Sequence, residues 1–482
     1  MKLYLCGHTH RYAMEQLQLA LFPEEPMEPV EAAFTGDGAV SSLHVGKTWV
    51  TASARITFHG KTVRKTKRMP AAQGEDVPAL RRLLQNAYYE AAVCLREPPE
   101  WGSLSGVRPT KLTTRYLLDG GDPAGADRMM KERYHVSQPR RKLCIEASLA
   151  TVEAAKRLEP EDISLYVGIP FCPTRCAYCS FVSASVERLQ SQLPLFLEAL
   201  EKEIIHVGRL VKEAGKRIRT VYIGGGTPTT LSTAQMGRLM ELLAANFDLT
   251  NLIEYTVEGG RPDTLSLTKL KTIRRLGCDR MSINPQTMND RILEAIGRRH
   301  TSAQTVEAYA QAVAAGFEGI NMDLIGGLPM DTPDSFARSL EEVLALKPSN
   351  ITVHTLALKK GADMFFERMG LPTAGDVGEM LRRGENRLRQ EGYAPYYLYR
   401  QKYMSGSFEN VGWCKPGFEG LYNIYMMEEL HSIISLGGGG MTKINLPDGR
   451  LERFHNPKFP QQYVERIEDV LKQKEEAFRL MK

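Results

Sequence analysis

No stretch of the 482-residue chain approaches the roughly 18–20 uncharged apolar residues that a membrane-crossing helix needs. Eight cysteines in such a length are too sparse for a disulfide scaffold. Neither sign of charge dominates. With 62 Lys+Arg against 57 Asp+Glu the net charge is +5, which by itself does not point to nucleic acid. The first residues, MKLYLCGHTHRYAME, lack an apolar core of signal-peptide length, because His8, His10 and Arg11 interrupt it. There is no low-complexity segment, and no repeat beyond an alternation of strand and helix patterns. What remains is an ordinary soluble composition, 43% hydrophobic and 25% charged. The expectation is a cytoplasmic protein with reduced thiols, in about three domains at ~150 residues each.

Three of the eight cysteines crowd into eight positions, as Cys172-PTR-Cys176-AY-Cys179. Core cysteines would not bracket Pro173, Thr174 and Arg175 on a turn-like loop, so these three read as ligands. A structural zinc site takes four protein ligands, and no fourth Cys or His follows here. Three thiolates with an open position suit a catalytic centre whose metal is also bound by a substrate or cofactor. Thiolate-only ligation favours iron–sulfur or zinc over hard cations. Cys6, Cys94, Cys144, Cys278 and Cys414 are scattered and read as structural.

From about residue 160 to 360, short apolar runs alternate with amphipathic helical patterns. Strands are expected at 163–168, 218–223, 252–258, 279–283, 319–325 and 350–356, each short and apolar enough for a buried parallel strand. Between them, Leu193, Phe196, Leu197, Leu200, Ile204 and Val207 repeat at helical spacing, and further helices are expected at 233–245, 264–275, 303–315 and 333–346. Gly277 and Gly316 suit helix C-termini. Six β/α units predict an α/β parallel sheet with helices outside, open or a partial barrel. Residues 1–159 read as a separate α+β domain, with a strand at 49–59, the basic run KTVRKTKR, a helix at 79–95 and a GVRPTK loop. Residues 160–365 form the expected β/α domain. Residues 366–482 form a third, with a polar helix near 376–390, a Tyr-rich strand, the run Gly437–Gly440 and a C-terminal helix.

Chemistry in parallel β/α folds gathers where strands end. Strand one leads through Tyr166 into the cysteine loop, and strand two ends in Gly224-Gly225-Gly226-Thr227. Strand three ends in Glu258, strand four runs into Gln286, strand five carries Asp323 and strand six His354. Singly, a Gly run is also a tight turn, a carboxylate is also a helix cap, and a histidine is also a core residue. Together they describe a metal-anchored polar cofactor, its backbone wall opened by glycine. The carboxylates suit ribose hydroxyls or an amino group.

The cysteine spacing resembles the radical S-adenosylmethionine (SAM) superfamily. The stretches YVGIPFC, CSF, GGGTPT, VEGGRPDTL, IGRRH and NMDLIGGLP are similar to the oxygen-independent coproporphyrinogen III oxidase (HemN-like) family over about residues 160–445. GVRPTK and YMSGSFENVGWCKPGFEG resemble its HemZ branch. The resemblance implies a partial (β/α)6 radical SAM barrel with an N-terminal α+β domain and a C-terminal α+β extension covering the substrate. It implies that Cys172, Cys176 and Cys179 hold a [4Fe–4S] cluster whose fourth iron is chelated by SAM. Tyr166 and Tyr178 would flank SAM, Gly225, Gly226 and Thr227 would line its methionine end, and Glu258 would hydrogen-bond it. Gln286, Arg298, Asp323 and Ala357 match positions around a second SAM or a substrate-side pocket. The implied reaction is reductive cleavage of SAM, hydrogen abstraction from propionate β-carbons of coproporphyrinogen III, and loss of CO2 to give the vinyls of protoporphyrinogen IX. That chemistry takes an electron donor such as flavodoxin or ferredoxin. A tetra-anionic substrate calls for cations, with Arg108, Arg261, Arg298 and Arg299 as candidates.

Two positions depart from the family's pattern: Gly168, where His is usual, and Phe181, where the oxidase proper often adds a fourth Cys. Neither removes a cluster ligand. The alternative readings are a haem chaperone of the HemW type and another two-SAM enzyme such as a methyltransferase. The chaperones carry HNxxYW where this chain has Tyr422, Asn423, Ile424, Tyr425, Met426 and Met427. The basic run at 61–68 reads as an edge strand protected against aggregation, so no nucleic-acid partner and no membrane span is expected.

Overall fold

The computed structural model describes residues 1–104, 106, 108–174, 176–179, 184–185, 191–357, 370–401 and 408–481. Phe181 therefore lies outside the described residues, as does most of the YMSGSFE stretch. The chain divides into two compact units, Met1–Ser148 and, in the main, residues 149–482.

The first unit is built on β1 (Lys2–Cys6), α1 (Arg11–Leu21), β2 (Glu28–Val30), β3 (Gly38–Val45), β4 (Trp49–Phe58), β5 (Lys61–Pro70) and α2 (Val77–Ala92). The sheet order is β2-β1-β3-β4-β5, parallel at β1 and antiparallel from β3 to β5. Alternation decides the faces. Val50, Ala52, Ala54, Ile56 and Phe58 of β4 are buried, while Trp49, Thr51, Ser53, Arg55 and Thr57 point the other way. Met14, Leu17 and Leu21 of α1 and Leu84, Ala87 and Tyr88 of α2 close over the apolar face. Helix α2 begins where Asp76 accepts the Ala79 amide at 3.0 Å. Helices α3 (Thr110–Leu118), α4 (Pro123–Tyr134) and α5 (Gln138–Ala155) follow.

In the second unit the six expected strands all form. They are β6 (Asp162–Ile169), β9 (Arg217–Gly225), β10 (Glu254–Gly260), β11 (Arg280–Ile283), β12 (Gly319–Gly326) and β13 (Asn350–Thr355), parallel and adjacent in that order. Two short strands intervene, β7 (Phe171–Cys172) and β8 (Ala184–Ser185). Each longer connection carries a helix: α6 (Gln192–Glu213), α7 (Thr233–Asn246), α8 (Leu267–Arg275), then α9 (Asp290–Ala295) with α10 (Ser302–Ala314), and α11 (Pro333–Ala345). The side chains explain the layering. Ile163, Leu165, Val167 and Ile169 of β6 face out onto Phe196, Leu200, Ile204 and Val207 of α6. Burying each such side chain stabilises by about 1.5–3 kcal/mol. The alternate residues facing inward are polar or small: Ser164, Tyr166, Tyr222, Glu258, Ser282, Asn321, Asp323, Thr352 and His354.

Past residue 370 the chain keeps adding to the same sheet. Beyond α12 (Ala374–Gln390), β14 (Ala394–Tyr399) and β15 (Asn410–Cys414) extend it antiparallel from β13. After α13 (Leu421–Glu428), β16 (Ser432–Gly437) pairs parallel with β6, and β17 (Met441–Asn445) and β18 (Leu451–His455) complete eleven strands. The order runs from β14 to β18 without closure, an α/β partial barrel. Helices α14 (Pro460–Glu465) and α15 (Ile467–Leu480) end the described chain. No helix among the described residues is long and apolar enough to cross a membrane.

Candidate active site

The inward faces of the parallel strands open at their C-terminal ends onto a cavity of about 880 Å³. Cys172, Cys176, Tyr178, Cys179, Gly225, Gly226, Thr227, Glu258, Gln286, Arg298, Asp323 and Ala357 all line it. Tyr166 is the exception among the expected residues. Its ring sits behind the wall, stacked at 6.2 Å on Tyr222 and 6.3 Å on Tyr422.

The cysteine end is shaped by backbone that tolerates no side chain. Gly225 has φ 120°, a conformation L side chains rarely adopt. A Cβ on Gly226 would stand 2.5 Å from the Phe171 carbonyl oxygen and 2.9 Å from the Cys172 sulfur. The Thr227 hydroxyl donates to that sulfur at 3.5 Å. At Gly168 the departure from the family's His has a cause. A side chain there would meet the Gly438 carbonyl oxygen at 2.4 Å, where β16 and the tetraglycine turn run against β6. The Arg298 guanidinium donates to the Asn284 carbonyl at 2.6 Å and reaches the Tyr178 hydroxyl and the Cys176 sulfur. Burial opposes its charge, but those neighbours outweigh that and hold it protonated. Burial likewise pushes the Tyr178 hydroxyl upward, against the pull of Arg298.

The opposite wall carries two carboxylates in different states. Glu258 accepts from the Tyr222 hydroxyl at 2.5 Å and the Gly225 amide at 3.2 Å. Burial, with Asp323 adding repulsion, still pushes it up to about 7. For Asp323 burial acts in the same direction, but His354 at 3.6 Å and hydrogen bonds from Asn321 and Thr352 outweigh it and hold the group below its ordinary value. Gln286 adopts φ 72° without being glycine, held there because its amide donates to the Asp323 carbonyl and its carbonyl accepts from Ile325, both at 2.9 Å. Strained backbone pinned on both sides fixes its place on the rim.

The arginine candidates divide. Arg261 is engaged by Asp263, Nε to Oδ1 at 3.0 Å and Nη2 to Oδ2 at 2.8 Å, and by Thr174. Arg298 is engaged as described, Arg299 lines a neighbouring cleft, and Arg108 belongs to the first unit. The sequence reading missed Tyr222, Asn321, Thr352, Tyr397 and Tyr399, which also line the cavity. A signal existed: Asn321 and Thr352 sit two residues before Asp323 and His354, hence on the same face of their strands.

Comparison with known proteins agrees with the geometry. Residues 166–343 match the sequence model of the Radical SAM superfamily. The chain is 40% identical over 382 residues to the oxygen-independent coproporphyrinogen-III oxidase-like protein HemZ of Bacillus subtilis, covering 78% of this chain and 76% of that one. It is 31% identical over 295 residues to the haem chaperone HemW of the same organism, covering 59% and 73%. The solved structure of coproporphyrinogen III oxidase HemN from Escherichia coli superposes with a TM-score of 0.54 at 27% identity, covering 67% of this chain and 73% of that one.

Membership of the superfamily brings a [4Fe–4S] cluster and SAM as cofactors, and the residues fit them. Among the described residues no three His, Cys, Asp or Glu side chains converge closely enough to chelate one ion. A cubane cluster asks something else, since each thiolate binds its own iron. Three sulfurs on one cavity wall, beside a glycine that leaves room at Cys172, meet that demand. The chain belongs to the radical SAM superfamily, in its coproporphyrinogen oxidase-like HemZ branch.

Proposed function

We propose that the chain is an oxygen-independent oxidative decarboxylase acting on the propionates of coproporphyrinogen III. The observation that carries this reading is the single cavity that puts the three thiols, the glycine wall, Glu258 and Asp323 within one space, in a chain so similar to HemZ. Bound there, cluster and SAM supply the one-electron chemistry that takes hydrogen from a propionate β-carbon, after which the substrate loses carbon dioxide and one electron and keeps a vinyl group.

The chain's own residues bind and orient. Cys172, Cys176 and Cys179 hold the cluster, and Arg298 lies against the Cys176 sulfur. Gly225, Gly226 and Thr227 cradle the methionine end of SAM, and Glu258 accepts hydrogen bonds from the same cofactor. Tyr178 packs beside the sulfurs, and Tyr166 backs the wall from behind Tyr222. Gln286, Asp323 and Ala357 face the substrate side or a second SAM. Tyr222 and Tyr422, stacked at 4.5 Å, seal the floor from water.

The chaperone reading is favoured by the similarity to HemW. Against it, Tyr422, where the chaperones have the His of HNxxYW, is buried in packing, with its amide bound to Glu254 at 3.0 Å. The test is an anaerobic incubation with reductant, SAM and coproporphyrinogen III. Protoporphyrinogen should form with the parent chain and not with Cys176→Ala. Tight haem binding without turnover would replace this proposal with the chaperone.

A further inference from the structure

Among the described residues no helix of the first unit packs over one face of its sheet, and the β4–β5 end of that face carries cations and hydroxyls without a carboxylate. The outward residues are Ser42 and His44 on β3, Trp49, Thr51, Ser53, Arg55 and Thr57 on β4, and Thr62, Arg64, Thr66 and Arg68 on β5, with Val40 of β3 opposite Arg55 and Lys2, Tyr4 and Cys6 of β1 and Val30 of β2 continuing the same face. Strands β3, β4 and β5 contain no Asp or Glu at all. The carboxylate with the same facing is Glu28, opposite Lys2 at the far edge. Arg55, Arg64 and Arg68 are exposed and have no ion-pair or hydrogen-bond partner among the described residues. On the covered face, by contrast, Lys67 pairs with Glu90 of α2 at 2.5 Å.

Protection of an edge strand accounts for charge on β5 but not for this arrangement. Arg55 lies on β4, an interior strand, and the register sets it directly opposite Arg64. Like charges facing across a ladder are destabilising, so the pair costs stability and adds nothing to edge protection. Such a pair makes sense if an anion lies between the two side chains. Arg68, four residues along β5 from Arg64, is about 14 Å further on. The arginines are interleaved with hydroxyls, Ser53–Thr66 and Thr57–Thr62, each pair hydrogen-bonded at 2.9 Å. Trp49, 47% exposed, ends the same row one pair beyond the Thr51–Arg68 register.

The geometry points to a binding platform for a single-stranded nucleic acid, with phosphates on Arg55, Arg64 and Arg68 and a base stacked on Trp49. Guanidinium forks and hydroxyls match phosphate oxygens, and an aromatic beside them accepts any base. An acidic protein is the weaker fit, because the apolar residues of this face, Val30, Tyr4 and Val40, are half-buried and lie to one side of the arginines, so they give no desolvated core around them.

The test uses the full-length protein and a fluorescein-labelled oligouridylate, titrated by anisotropy across a potassium chloride series. Neutralising three phosphate contacts should lower the slope of log affinity against log salt by about 2 in Arg55→Gln/Arg64→Gln/Arg68→Gln. Trp49→Ala should weaken binding about tenfold with the slope unchanged. Replacing Arg238, Arg450 and Arg466 of the second unit by Gln removes equal charge and should leave both quantities as in the parent. Because the Arg55–Arg64 repulsion is relieved, the triple variant should unfold no earlier than the parent, and Arg→Lys at the same three positions should keep the slope. Equal loss in the two triple variants, no measurable binding, or polyglutamate binding as tightly as oligouridylate would overturn the assignment.

Discussion

Glu258 and Asp323 are both inward-facing carboxylates on neighbouring parts of one sheet, yet their surroundings set them apart. Asp323 has His354, Asn321 and Thr352 to favour its charge, whereas Glu258 has two donors set against burial and the field of Asp323. The consequence for stability has a definite sign. A carboxyl raised to about 7 when folded binds its proton more tightly there than in the unfolded chain. Below the ordinary glutamate value both states are protonated and nothing is lost. As pH rises from there the unfolded chain gives up its proton while the buried carboxyl keeps it, so stability falls until the folded group also ionises at about 7. Glu258→Gln removes that penalty. In cofactor-free protein at pH 8 the variant should be more stable than the parent by about 2 kcal/mol, with the slope between those limits flattened. Chemical denaturation at several pH values reads this directly, and a parent whose stability is flat over the same range would refute it.

At the scale of elements, what matters is how the C-terminal strands and helix are fastened to the sheet beside the cysteine loop. Glu203, inside α6 and fully buried, accepts from the Gly437 amide at 2.7 Å, the Tyr463 hydroxyl at 2.5 Å and the Asn456 side chain at 3.0 Å. Lys474 of α15, itself buried, stands 3.4 Å from it and donates to Thr442 and Asn456 at 2.9 Å. One carboxylate thus ties α6, the tetraglycine turn, α14 and α15 together, next to the Gly168–Gly438 contact that leads into the cluster loop. Burial lowers the lysine's affinity for its proton, and the carboxylate opposes that. Removing one partner strands the other. Lys474→Met should cost about 3–5 kcal/mol. Adding Glu203→Gln should restore part of it, so a double variant as unstable as the single one would show that the pair is not coupled. Guanidinium denaturation of the two variants and the parent decides.

At the scale of the whole molecule, the legible and the hidden features sort by distance along the chain. The six parallel strands announce themselves as short apolar runs, and the three cysteines fall within eight residues, so both are visible locally. The entry of β16 beside β6 depends on pairing Ser432 with Ile163, and no local pattern marks it. The floor of the cavity is hidden for the same reason. Tyr166, Tyr222 and Tyr422 come from two strands and a distant helix, and only the register stacks them. Arg55 opposite Arg64 is the first unit's version of that effect: the composition of 61–68 suggests an edge, and the pairing shows a face. The arginines read as substrate cations fare differently, since Arg261 turns out to be held by Asp263, two residues away.

In the proposed function, one cavity removes hydrogen from a propionate and releases its carboxyl group. Coproporphyrinogen III deuterated at the propionate β-carbons, incubated anaerobically with the parent chain, SAM and reductant, tests it most directly. Deuterium should appear in the 5′-deoxyadenosine recovered, with one molecule of carbon dioxide for each vinyl formed. Unlabelled 5′-deoxyadenosine, or a methylated product with no carbon dioxide released, would contradict it.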